Sequence, residues 1–152
     1  MTDIPVIGLF IQFFQFLLDN LPALSSAAVS VSIPIALAAL CGVISERSGV
    51  VNIGLEGIML TAAFVAWVTG AVCIAVLPAD MQARTDVFGL SLPLVIAVVV
   101  AVLSGMLLAA LHAWLSISIR ADQIISGVII NIAALGLTGY LHTILSVQSP
   151  RG

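Results

Sequence analysis

A chain of 152 residues that is 62% hydrophobic and 7% charged, with a mean hydropathy of +1.31, is not a soluble domain, in which roughly a quarter of residues carry charge. Four arginines, no lysine and seven acids give a formal net charge of -3, which leaves no basic surface for nucleic acid and no amine for a phosphate-binding loop or a Schiff base. The composition specifies an integral membrane protein that does not hydrolyse ATP by itself.

In chain order, Ile4 to Leu18 form the first apolar run. Fifteen residues rise only about 22 Å, short of the roughly 30 Å of a bilayer core. Gly8, Gln12, Gln15 and Asp19 fall on one helical face, so the run at about 4–18 reads as a helix lying in the membrane interface. The alternative is a fifth, tilted span. The run has no Lys or Arg ahead of it, which argues against a cleaved signal peptide.

Four longer runs, at about 23–44, 50–77, 91–115 and 123–146, each hold the roughly 20 apolar residues a crossing helix needs. The chain therefore reads as all-α, a single transmembrane domain over 1–152, a polytopic helical bundle. Its links are short: "SERSG", then "PADMQARTDVFG" with Pro78, Asp80, Arg84 and Asp86, then "SIRAD". Arg47 and Arg120 fall on one side and Arg84 and Arg151 on the other, so the positive-inside rule leaves the orientation open. Pro34, inside the first span, removes a backbone donor and is a candidate kink. Cys41 and Cys73 lie 32 positions apart in apolar segments and read as packing residues. His112 and His142 form no metal or catalytic spacing, so no catalytic group, cofactor or metal site is expected and an enzyme is disfavoured.

The second span raises the functional question. Ser48, Asn52 and Glu56 recur every four residues, which on a helix would align a hydroxyl, an amide and a carboxylate. Gly49, Gly54 and Gly57 surround them and cost about 1 kcal/mol each relative to Ala, so the helix is expected to start late or break there. Irregular backbone persists at membrane depth only where it is buried in protein or lines a cavity. A charged carboxylate at a helix centre costs on the order of 2.5 to 3.5 kcal/mol on insertion scales, which marks Glu56 as a candidate for a solute route. Its structural alternatives are an ion pair with Arg47 or Arg120, or a protonated carboxyl bonded to backbone. In the fourth span Gln123, Gly127, Asn131, Ala134, Thr138 and His142 occupy one arc. Either this stripe lines a wet pathway with Asn52 and Glu56, or Asn131 and Thr138 only bond across to a neighbouring helix. Ala62, Ala66 and Gly70, and likewise Gly105, Ala109 and Ala113, are small-residue rows suited to close helix packing.

Two stretches, "SERSGVVNIGLEGIMLTAAF" and "RADQIISGVIINIAALGLTGYL", resemble the membrane permease subunits of bacterial ABC importers. The likeness is to the nucleoside and simple-sugar branch, related to the ribose and branched-chain amino acid permeases, and runs from the N-terminal helix to the last residues. It implies a second permease subunit, a cytoplasmic ABC ATPase that performs the ATP hydrolysis, an extracytoplasmic substrate-binding lipoprotein, and a multi-pass place in the bacterial inner membrane among its lipids. It places Asn52 and Glu56, with Asn131 as a second contribution, beside the translocation path. Family permeases are longer, so the resemblance also implies an N-terminal half whose C-terminal continuation, with the ATPase-docking segment, is absent here. A carboxylate and an amide suit ribose hydroxyls and base N–H groups, whereas an amino acid would bring its own carboxylate against Glu56. Nucleoside therefore ranks first, ahead of simple sugars and branched-chain amino acids. A small non-transporting scaffold subunit, its polar stripes serving only packing, is the reading from another class.

Overall fold

The computed structural model describes residues 5–83, 85 and 89–148. Arg84 and Asp86 of the middle link, and Arg151, lie outside the described residues. The chain divides into two compact units, Met1–Val43 and Ile44–Gly152.

The first unit holds α1 (Pro5–Asp19) and most of α2 (Leu21–Arg47). Asn20 joins them: its side-chain amide donates to the Phe16 carbonyl at 2.8 Å, and its own carbonyl accepts from the Leu24 N–H at 2.9 Å. The run through Pro34 remains helical, although proline leaves the Ser30 carbonyl without its usual donor. Ser30 and Ser32 in the same helix bond their hydroxyls back to the carbonyls of Ser26 and Val29, as serine does when it has no polar partner elsewhere.

In the second unit, α2 ends at a Schellman motif. The Val50 N–H reaches the Ser45 carbonyl and the Gly49 N–H that of Glu46, with Gly49 at φ +84°. That left-handed turn is the reason the second span begins later than expected: residues 50–54 are not helical, and α3 (Leu55–Val76) starts at Leu55 rather than 50. The alignment of Ser48, Asn52 and Glu56 on one helix face is overturned with it. Only Glu56 of the three is in a helix; Ser48 caps the end of α2, its hydroxyl donating to the Ser45 carbonyl at 2.6 Å.

Past α3 a short helix, α4 (Ala79–Gln82), brings the Gln82 amide back to the Ile74 and Leu77 carbonyls at 2.9 and 2.6 Å, where the end of α3 has run out of its own donors. Helix α5 (Leu92–Ile117) opens with Ser91 extended ahead of it and Pro93 in its first turn. Arg120, at φ 59°, turns the chain, and the Asp122 carboxylate caps α6 (Gln123–Gln148) by accepting from the Ile124 and Ile125 N–H groups at 2.8 and 3.2 Å.

The three long helices of this unit pack together. A methyl group on Gly105 would stand 3.7 Å from Ala62 and Ile58, and one on Gly70 would stand 3.9 Å from Ala97, so α5 runs antiparallel to α3. The small residues at 62, 70 and 105 are thus the packing surface their spacing suggests. Helix α6 runs parallel to α3, since Gly127 meets Gly54, Asn131 meets Gly57, and the His142 ring lies tilted against Trp67 with centroids 4.9 Å apart. Among the described residues four helices, α2, α3, α5 and α6, are long and apolar enough to cross a membrane.

Candidate functional site

The site grows from the non-helical residues 50–54. An irregular main chain beside apolar helices must find partners for its N–H and C=O groups, and this one finds them on side chains. Gln123 Oε1 accepts from the Val51 N–H at 2.6 Å. Asn131 Nδ2 donates to the Ile53 carbonyl at 3.0 Å, and Asn131 Oδ1 accepts from the Gly57 N–H at 2.7 Å. His112, 1% exposed on α5, places Nε2 3.4 Å from the Val51 carbonyl oxygen and Nδ1 3.1 Å from the Ser126 hydroxyl.

Asn131 has a double task. The residue before α3 is Gly54, which has no side chain to cap the helix, so the first-turn N–H of Gly57 is satisfied from α6 instead. The backbones close to near contact to allow it. A methyl on Gly57 would fall 2.8 Å from Asn131 Oδ1 and 2.9 Å from the Ile130 carbonyl oxygen, and one on Gly127 would fall 2.8 Å from the Gly54 nitrogen. The glycines at 54, 57 and 127 therefore serve close approach; Gly49 alone of the three that flank Asn52 and Glu56 has positive φ.

Glu56 is exposed in the first turn of α3, where the helix dipole favours a negative charge. Among the described residues its carboxylate makes no hydrogen bond and no ion pair, with Arg47 and Arg120 included. Asn52 lies between the two clamped peptides, partly exposed, with its Oδ1 atom buried and unpartnered among the described residues. Thr138 is buried and spends its hydroxyl on the Ala134 carbonyl at 2.7 Å. It also borders an open groove of about 320 Å³ lined by Leu60, Phe64, Trp67 and His142. The structure thus brings Asn52, Glu56 and Asn131 together at the start of α3 and sets Thr138 further along the α3–α6 seam. These groups accept and donate hydrogen bonds; no pair of them resembles a nucleophile with its base.

From the sequence His112 enters only as half of a pair without metal or catalytic spacing, and Ser126 not at all; their contact crosses from α5 to α6 and carries no local signature. Asp122 was legible in principle, as an Asp immediately ahead of an apolar helical run.

Comparison with known proteins decides the family. The family described as branched-chain amino acid transport system / permease component matches residues 24–151. The chain belongs to it. Helix α1 precedes the matched region, which begins inside α2. Over 108 residues, 71% of this chain, it is 42% identical to a guanosine ABC transporter permease protein of Bacillus subtilis. Over 117 residues, 77% of the chain, it is 38% identical to a putative glucose ABC transporter permease protein of Haloferax volcanii and 35% identical to a nucleoside ABC transporter permease protein of Lactococcus lactis. These alignments cover 30%, 30% and 33% of the relatives' own lengths. No solved structure gives a significant match. With four helices able to cross a membrane, this member of the permease family is a multi-pass membrane protein.

Proposed function

We propose that this chain forms part of the membrane permease of an ATP-driven importer, with a nucleoside as solute. The observation that carries the reading is the family match joined to two relatives whose names specify guanosine and nucleoside. The permease would work in the bacterial inner membrane beside a second permease subunit, with ATP hydrolysis in a separate cytoplasmic ABC ATPase and solute delivered by an extracytoplasmic binding lipoprotein.

Asn52, Glu56, Asn131 and Thr138 are the pathway residues of this proposal, in graded roles. Glu56 carries an exposed carboxylate with no partner among the described residues, an acceptor for ribose hydroxyls and base N–H groups, while Asn52, four residues before it, keeps its Oδ1 buried. Asn131 holds the main chain that presents them, and Thr138 borders the groove further along. A zwitterionic amino acid would set its carboxylate against Glu56, which places branched-chain amino acids last despite the family's name. A simple sugar is the second reading, favoured by the glucose permease relative.

The test is uptake of radiolabelled nucleoside by the intact transporter carrying Glu56→Gln. Loss of a hydrogen bond to a charged acceptor lowers uptake about tenfold or more at equal membrane abundance. Unchanged uptake removes Glu56 from the pathway, and uptake competed by glucose but not by guanosine moves the solute to sugars.

A further inference from the structure

Val51 is held on both of its main-chain groups by side chains from two different helices. Its N–H is taken by Gln123 of α6, and its carbonyl oxygen faces Nε2 of His112 on α5. Asn131 fixes the next carbonyl but one, at Ile53. Asn52 sits between these clamps.

Hydrogen counting constrains how His112 takes part. A carbonyl oxygen can only accept, so the contact with Val51 requires the ring proton on Nε2. A neutral ring protonated there leaves Nδ1 as an acceptor, and the Ser126 hydroxyl, 3.1 Å away, donates its hydrogen bond to it. The same hydroxyl lies 3.2 Å from the Gln123 carbonyl and has only one hydrogen to give, so donating to His112 forgoes that second bond. Both side chains are buried, which makes an unmade bond costly and a made one directional.

We infer that His112, fixed as its Nε2–H tautomer by Ser126, is a positioning residue that locks the Val51 carbonyl and thereby sets the conformation from which Asn52 and Glu56 are presented. The positioning role rests on the pathway reading above; the lock itself does not. Ser126→His112→Val51 is a relay of orientation, with no proton transferred.

Two measurements on the full-length permease in its complex, reconstituted in lipid nanodiscs, test it. The first is nitrogen NMR of the wild-type ring, its signal assigned by its loss in His112→Gln. A proton on Nε2 alone is expected, and a proton on Nδ1, alone or as the second proton of an imidazolium, overturns the assignment. The second is amide hydrogen exchange over residues 50–57 in His112→Leu and His112→Gln. Losing one hydrogen bond speeds exchange in this segment up to about tenfold, and glutamine, whose amide N–H reaches the Nε2 position, restores it. Unchanged exchange in His112→Leu overturns the lock. Faster exchange with an unaltered KM for uptake overturns the positioning role and leaves the transport reading to stand or fall on Glu56→Gln. Should His112→Leu fail to assemble, Ser126→Ala takes its place: it frees Nδ1 to carry the proton, and the Nε2–H signal must then weaken.

Discussion

At Gly57 a single hydrogen atom keeps two helices together. The Ile130 carbonyl and the Asn131 Cα that a methyl would strike are backbone or backbone-borne, and neither can swing aside as a side-chain tip would. Gly57→Ala and Gly127→Ala are therefore expected to push α6 from the start of α3 and cost about 1–3 kcal/mol, the usual range for overpacking. Gly139→Ala, on the same helix with nothing within 4 Å, gains helix propensity and holds or raises stability. Thermal melts of the three purified variants in detergent check this, and equal melting temperatures would refute the close-approach role. Asn131→Asp separates the two tasks of that side chain. The carboxylate still accepts from the Gly57 N–H but loses the donor to the Ile53 carbonyl and sets negative charge against it, a loss of about 1–3 kcal/mol. A melt indistinguishable from the parent would mean that the Ile53 bond contributes nothing.

Among the elements, α3 against α5 shows how small residues decide helix separation. The 3.7 Å that a methyl on Gly105 would keep from Ala62 is ordinary contact, so Gly105→Ala is tolerated, whereas Gly105→Leu overfills the seam. Purification yield and melting temperature should fall for Leu alone; a parallel fall for Ala would place the helices closer than described. These seams and the four spans were legible because length, apolarity and the spacing of Ala and Gly are local properties. The start of α3 was half legible. Gly49, Gly54 and Gly57 announced an interruption, but the four-residue spacing of Ser48, Asn52 and Glu56 presupposed the helix that Gly49 ends. The partners of that interrupted stretch were not legible at all, since Gln123 and Asn131 lie 72 and 78 residues from the main-chain groups they meet. His112, a lone histidine in an apolar run, offered no reason to be singled out.

For the molecule as a whole, antiparallel α3 and α5 with parallel α3 and α6 put the turn at Ser48 and the turn at Arg120 at one end of the second unit, and α4 at the other. With Cys41 and Cys73 replaced, single cysteines at Ser48 and at Ser118 should react with a membrane-impermeant maleimide from the same side, and one at Asp80 from the opposite side. Labelling of all three from one side would contradict the packing. The side that Ser48 takes also fixes the orientation that the arginines leave undecided. One consequence concerns synthesis. Residues 50–54 are held by α5 and α6, so their partners do not yet exist when the segment leaves the ribosome. At 5–20 residues per second the wait for Gln123 is roughly 4 to 14 seconds. An unpaired peptide group costs several kcal/mol in hydrocarbon, so this stretch stays at the aqueous surface of the membrane until the fourth span arrives, and its folding is the last event in the assembly of the unit rather than the second.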